Sequence, residues 1–288
     1  MTVTTASTNT LEVPGATLTY DVRPGGSADA PPLLLIGSPM AAPGFTTLAG
    51  HFGDRTIITY DPRGSERSTK ADPSSPSTPE QHADDLHRII EQIGGPVDLF
   101  ASSGGAVNAL ALVARHPNDV RTLVAHEPPA ADVLPDREAA LAASRAVHET
   151  YMRSGFGAGM AHFIALVSHE GEFGPEWASQ PPPDPAMFGM PAEDDGSRDD
   201  PLLGQNMVDG TRWEPDIEAL RAASTRIVIA LGEESLTILP GRAALVIAER
   251  LGVDPVIFPG GHGGFLGGEY GQMGKPDEFA AKLREVLA

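Results

Sequence analysis

The segment best suited to chemistry is Val97-Asp-Leu-Phe-Ala-Ser-Ser-Gly-Gly-Ala-Val-Asn-Ala-Leu110, which reads as strand, tight turn and helix with a serine at the turn. A serine on such a turn can act as a nucleophile, because the strained backbone lifts its hydroxyl clear of the strand end. The crowding this creates demands small residues two positions to either side. Ser103 meets the demand with Ala101 and Gly105, whereas Ser102 would press Phe100 into the turn. The pattern departs from G-x-S-x-G only in having Ala101 for the first glycine. The competing reading is that Ser102 and Ser103 merely cap the helix that follows.

A serine hydroxyl attacks well only when a base takes its proton, so a histidine is required. The chain has 9. His51, His82, His87, His116, His148, His162 and His169 lie on or beside helical patterns, where surface or packing roles are the default. His262 differs, because it follows the last candidate strand with two glycines on each side, in Pro259-Gly-Gly-His-Gly-Gly-Phe265. Such a loop can bring an imidazole over the strand ends. The alternative is a glycine-rich turn with an incidental histidine.

Four motifs then stand in order: Leu33-Leu-Leu-Ile-Gly-Ser-Pro-Met40, Tyr60-Asp-Pro-Arg-Gly-Ser-Glu-Arg-Ser68, the turn at Ser103 and the loop at His262. In these the chain resembles the α/β-hydrolase family over nearly its whole length. Residues 33–40 are similar to that family's third strand and oxyanion turn. Residues 60–68 resemble its D-x-R-G-x-G-x-S turn, with Glu66 for the second glycine, and are expected to support the site rather than join the chemistry.

The resemblance implies a Ser…acid…His order. The family usually places an aspartate three residues past a glycine after the penultimate strand, and in Leu231-Gly-Glu-Glu-Ser235 that position is Ser235, which carries no charge. Two rescues exist. Glu127, in Leu123-Val-Ala-His-Glu-Pro-Pro129, ends the strand after the elbow and is the favoured acid; some haloalkane dehalogenases are similar in supplying theirs there. Glu234, or Glu233, would serve if its turn were re-registered. His126 is expected to point to the opposite side of the strand and to be structural. For the two N–H groups that must hold an oxyanion, the resemblance implies Gly104 after the nucleophile and Ser38 after Gly37. Pro39 has no N–H, and Met40 is the next donor along.

These residues need a frame. Short apolar, β-branched runs at Thr17–Val22, Pro32–Ile36, Thr56–Tyr60, Val97–Ala101, Arg121–Ala125, Arg226–Ala230 and Pro255–Phe258 alternate with helical patterns at Gly44–Phe52, Pro79–Ile93, Gly105–Arg115, Pro240–Leu251 and Pro276–Leu287. That alternation predicts an α/β fold, a mostly parallel central sheet with helices on both faces. After Ala125, about a hundred residues pass before the next strand, far beyond an ordinary connection. Asp136–Met152 and Gly157–Ser168 have helical spacing, and the stretch from Gly171 to Asp216 is rich in Pro, Gly and acids. Residues 1–130 and 225–288 are therefore expected to form the hydrolase core, and 131–224 an inserted helical cap.

Composition narrows the partners. With 20 basic against 39 acidic residues, a formal charge of −19, nucleic acid and anionic membranes are disfavoured. The absence of cysteine removes disulfides and thiolate metal sites. No metal or nucleotide motif occurs, so no cofactor and no metal are expected. The opening residues 1–10 lack a basic or long apolar segment, no apolar run suits a membrane span, and a cytoplasmic protein, monomer or homodimer, is expected. Tyr151, Phe156, Met160, Phe163, Phe173, Trp177, Met187, Phe188, Met190, Met207 and Trp213 in or near the cap suggest a small, largely apolar substrate, although most such side chains fill cores.

The function these features imply is a serine hydrolase cleaving an ester or lactone through an acyl-enzyme. Related members of the family cleave C–C bonds or make peracids, and a ligand-binding protein on the same scaffold is a third possibility. A serine at the elbow argues against the haloalkane dehalogenase and epoxide hydrolase branches, which use aspartate.

Overall fold

A computed structural model describes residues 6–26 and 30–288; residues 1–5, half of the opening stretch, lie outside the described residues. In chain order the strands are β1 (Ser7–Val13), β2 (Ala16–Arg23), β3 (Leu33–Ile36), β4 (Ile57–Asp61), β5 (Thr69–Lys70), β6 (Val97–Ser102), β7 (Val120–His126), β8 (Arg226–Gly232) and β9 (Val256–Phe258). The helices are α1 (Thr46–Gly50), α2 (Pro79–Ile93), α3 (Gly104–Arg115), α4 (Arg137–Val167), α5 (Met207–Arg212), α6 (Ile217–Ala222), α7 (Leu239–Leu251) and α8 (Pro276–Leu287). The sheet runs β1-β2-β4-β3-β6-β7-β8-β9, with β5 paired to β2. From β4 through β9 all pairs are parallel, and β1, β2 and β5 make antiparallel pairs at one side. This is the expected α/β fold.

Strand pleating explains the uninterrupted apolar runs. Leu34, Ile36, Leu99, Ala101, Leu123 and Leu231 join one core cluster with α2, α3, α4 and α7, while their neighbours Leu33, Leu35, Phe100, Val124 and Ala230 join a second with α1 and α8. Alternate residues thus feed opposite faces, and both faces are covered. Each large apolar side chain buried this way contributes roughly 1.5–3 kcal/mol before entropy is charged against it. Asp98, fully buried in β6, is compensated by Arg55 and by two hydrogen bonds from Arg121 at 2.8 and 2.6 Å.

Helix α2 matches its expected span because its ends are written locally. Thr78 and Gln81 form a capping box, Pro79 opens the helix, and Gly94 closes it at φ 79. Strand β1 was not expected: its Ser, Thr and Asn residues form an edge strand with one side in solvent, so no apolar run marks it. Between β7 and β8, the two expected helices are one run, α4, broken at Gly155 by φ 82 and ψ −174. The short helices α5 and α6, also unexpected, follow in the same excursion. Its Val147, Tyr151, Trp177 and Leu203 belong to the cluster that packs on the sheet, so the excursion shares the core of the strands below it.

Candidate active site

The site is assembled at the carboxyl ends of β3, β6, β7, β8 and β9. Ser103 follows β6 with φ 58 and ψ −130, a conformation that costs a side-chain-bearing residue on the order of 1–3 kcal/mol. Its N–H donates to the His126 carbonyl at 2.9 Å, and its own carbonyl accepts from Ala106 at 2.8 Å as α3 begins. The two glycines after it are required by contact. A Cβ on Gly104 would stand 2.5 Å from the Ser38 carbonyl oxygen, and one on Gly105 would stand 2.8 Å from Gly37 Cα. The elbow and the turn after β3 therefore meet backbone to backbone, which brings Ser38 beside Gly104. Met40 instead packs its side chain across Gly37 and Gly44.

Glu127 ends β7 and is fully buried, with φ 53. Its N–H donates to the Ala230 carbonyl at 2.9 Å, its Oε1 accepts the Gly232 N–H at 2.8 Å, and its Oε2 accepts from His262 Nδ1 at 2.5 Å. Burial pushes this carboxyl up, but the His262 hydrogen bond and charge, the pull of His126 once that ring is protonated in acid, and the Gly232 amide outweigh it and hold the pKa down to about 2. His262, 40% exposed, has Nδ1 committed to Glu127, which leaves Nε2 free to accept a proton.

The structure brings His262 to Glu127 and not to Glu234. The Glu234 side chain is 60% exposed and lies 3.3 Å from Lys275, while Glu233 accepts from Lys275 at 2.6 Å and from the Gly260 N–H at 3.2 Å. Ser235 is buried with a hydroxyl that has no partner among the described residues. Of the other eight histidines, seven have structural engagements away from the site: His82 with Asn206, His148 with the Leu203 carbonyl, His162 with Thr150, His169 with the Glu172 carbonyl, and His51 with Asp277. His87 and His116 stack at 3.8 Å beside Asp119 and Asp84.

Asp61 ties the supporting turn together. Its Oδ1 accepts the Ala42 N–H at 3.0 Å and its Oδ2 accepts from Arg67 Nε at 2.6 Å, while Arg63 pairs with buried Asp85 through two 2.7 Å bonds. Two features differ from what the sequence predicts. One is His126: expected on the opposite side of the strand from Glu127, it is fully buried with Nε2 3.7 Å from Glu127 Oε1, because the left-handed backbone at Glu127, φ 53, ends the pleat. The other is an open cleft of about 610 Å³ that begins at Pro39 and Met40, with Glu66, Phe156, Asp199, Asp200 and Tyr270 among its walls. Glu66 sits there at φ 45. Of the aromatic and thioether residues singled out in the excursion, Phe156 lines this cleft. Tyr151, Phe173, Trp177 and Met207 are core, and Met187 is 76% exposed.

A parallel sheet with a serine elbow, a carboxylate-bound histidine and a glycine turn facing the elbow defines a fold family, and this chain belongs to it: residues 33–187 match the model for the alpha/beta hydrolase fold. It is 31% identical to the hydrolase YraK of Bacillus subtilis (strain 168), across 98% of this chain and 97% of the relative. Among solved structures it is similar to a thermophilic esterase from Thermogutta terrifontis, at a TM-score of 0.66, 20% identity and 98% coverage of both chains. It is also similar to the N-acyl homoserine lactonase AidH, at a TM-score of 0.59 and 20% identity, covering 98% of this chain and 96% of that one. The chain is thus an α/β-hydrolase enzyme. No described helix is long and apolar enough to cross a membrane.

Proposed function

We propose that this enzyme is a serine hydrolase that cleaves a carboxylic ester or lactone of a small molecule through an acyl-enzyme. The observation that carries the reading is the hydrogen bond from His262 Nδ1 to the buried Glu127 carboxylate, set at the same sheet edge as Ser103, which is strained at the head of α3. Ser103 Oγ attacks the carbonyl carbon while His262 Nε2 takes its proton. The Ser38 and Gly104 amides hold the oxyanion, and the alkoxide leaves with the proton from His262. Water, deprotonated by His262, then adds to the acyl carbon and the carboxylic acid departs from Ser103. Glu127 keeps the imidazole in the Nδ1–H form and stabilises its cation.

Residues 131–224 act as the cap over this centre, and the cleft beside the turn after β3, lined by Pro39 and Met40 rather than by Ser103 or His262, offers Phe156 and Tyr270 as apolar contacts for the substrate. The cleft also carries Glu66, Asp199 and Asp200, so the substrate is apolar and uncharged or cationic rather than anionic. The esterase and lactonase relatives favour an ester or lactone over other acyl compounds. The test is a panel of p-nitrophenyl esters and lactones assayed with wild type and Ser103→Ala. Hydrolysis that falls by about a thousandfold or more in the variant is expected; equal turnover by both proteins overturns the reading.

A further inference from the structure

A second serine–histidine pair lies beside the first and takes no part in the mechanism above. Ser102 and His126 immediately precede Ser103 and Glu127 and are partners in the parallel register of β6 and β7. Both are buried, at 3% and 0% exposure. Ser102 Oγ lies 3.3 Å from His126 Nδ1. The other ring nitrogen, Nε2, has no hydrogen-bond partner among the described residues and stands 3.7 Å from Glu127 Oε1. Phe100, Phe258, Phe265 and Phe279 surround the ring at centroid separations of 6.0, 6.0, 6.4 and 5.4 Å.

We infer that His126 is a positioning residue for the catalytic acid, with its Nε2–H directed at Glu127 Oε1 so that the carboxylate is held ionised and aimed at His262. This rests on the reading of Glu127 as the acid that serves Ser103 and His262.

Valence and electrostatics select the tautomer. A neutral imidazole has one N–H and one lone pair. A lone pair on Nε2 would face a carboxylate oxygen across a dry, aromatic-walled gap, whereas an N–H there is attracted to it. With Nε2 protonated, Nδ1 becomes the acceptor that the Ser102 hydroxyl needs, and both polar groups of the pair are accounted for. The ring is neutral, because burial lowers its pKa to about 4 against the opposing pull of Glu127, with His262 adding to the depression. Those two are the titratable groups that act on it; β6, β9, the histidine loop and α8 present Phe100 with Ser102, Phe258, Phe265 and Phe279 to the ring. At 3.7 Å the contact is longer than a hydrogen bond and acts as a charge–dipole attraction, strong where water is excluded. Glu127 thus lies between two imidazoles, one exposed and reacting, one buried and fixed.

The experiment combines NMR of enzyme labelled with 15N-histidine and kinetics per active site titrated with a fluorophosphonate. His126, identified by the resonance that His126→Gln removes, is expected as the neutral Nε2–H tautomer between about pH 5 and 9; the Nδ1–H tautomer or a charged ring overturns the inference. In His126→Phe, kcat is expected to fall about tenfold or more with KM within about twofold. The acid limb of its kcat/KM profile moves up by about half a pH unit, because an unsupported carboxylate holds the imidazolium proton more tightly. His126→Gln, whose amide nitrogen reaches the same place, keeps the wild-type limb. A packing role alone would leave the limb fixed in both variants, and that result refutes the inference. If His126→Phe does not fold, Ser102→Ala takes its place: loss of the Nδ1 donor is expected to mix the tautomers and shift the limb in the same direction, and an unmixed tautomer with a fixed limb refutes it. Full turnover in Glu127→Gln would instead sink the reading of the acid itself.

Discussion

His262 donates from Nδ1 to Oε2 of Glu127 across 2.5 Å, although 135 residues separate the two in sequence. The parallel order β6, β7, β8, β9 explains how. Ser103 follows β6, Glu127 follows β7, the Gly232 amide that fixes the other carboxylate oxygen ends β8, and the His262 loop follows β9. The ends of β7, β8 and β9 thus carry one hydrogen-bonded unit, which Ser103 adjoins through its N–H to the His126 carbonyl, and Ser235 is left buried with its hydroxyl unpaired among the described residues.

This arrangement separates the two candidate acids. Glu127→Gln is expected to lower kcat by about a thousandfold or more, since an amide there no longer fixes the imidazole tautomer or balances its cation. Glu234→Gln, which only loosens an exposed contact with Lys275, is expected to stay within about twofold. Steady-state kinetics on one ester with both variants makes the comparison, and the reverse ranking would move the acid to the β8 turn.

Acid sensitivity follows from the buried groups. His82 and His126 are both lowered to about 4 from 6.5, chiefly by burial. The unfolded chain takes up protons at these positions below pH 6.5 that the folded chain refuses until about pH 4. Their stabilising contribution is therefore complete above pH 6.5 and is lost as pH falls through that window. Glu127 adds a further loss between 4.5 and about 2. Urea unfolding measured from pH 7 to 4 is expected to show a slope that His82→Gln flattens by up to about 1.4 kcal/mol per pH unit. An unchanged slope would mean that His82 is already protonated in the folded protein.

Contact between the elbow and the β3 turn makes Gly105 intolerant of any side chain. Gly105→Ala brings a methyl to 2.8 Å from Gly37 Cα, with backbone on both sides and nothing flexible to yield. A loss of about 1–3 kcal/mol in chemical denaturation is expected, together with loss of activity. Gly210→Ala, a helical position where an added Cβ meets nothing within 4 Å among the described residues, serves as the control and is expected to be neutral or stabilising.

Glu66 combines strain with charge. At φ 45 it occupies backbone space that favours glycine, and it shares the cleft with Asp199 and Asp200. Glu66→Gly is expected to leave stability unchanged or raise it by up to about 1 kcal/mol. The same change is expected to narrow the discrimination between p-nitrophenyl butyrate and its carboxylate-bearing analogue p-nitrophenyl hemisuccinate. Wild type is expected to favour the neutral ester by about tenfold or more at low salt. Equal kcat/KM values for the two esters in wild type would show that the cleft lies off the path of the substrate.

How much of this was legible in the sequence depended on whether the signal was local. The α2 ends, the β3 and β6 runs and the Ser103 turn are each written within a few residues, by a capping box, unbroken burial or a need for small neighbours. The acid was legible only as a choice, because Glu127 and Glu234 are both carboxylates at strand ends and only three-dimensional placement shows which one the imidazole meets. Polar β1 was invisible because an edge strand needs no apolar run, and Gly155 gave no sign of whether its helix would end or merely break. The acidic cleft could not be read at all, since Glu66 meets Asp199 and Asp200 only after the excursion has folded back over the β3 turn. His126 was assigned to the far side by the pleat. The left-handed turn at Glu127 ends that alternation and leaves the two side chains within reach of each other.

Intact-mass spectrometry after treatment with a fluorophosphonate, followed by peptide mapping, tests the central claim most directly. One covalent phosphonyl adduct on Ser103 in wild type is expected, with none in Ser103→Ala and slow labelling in Glu127→Gln. An adduct on another residue, or no adduct on a folded protein that still hydrolyses esters, would contradict a mechanism built on Ser103, His262 and Glu127.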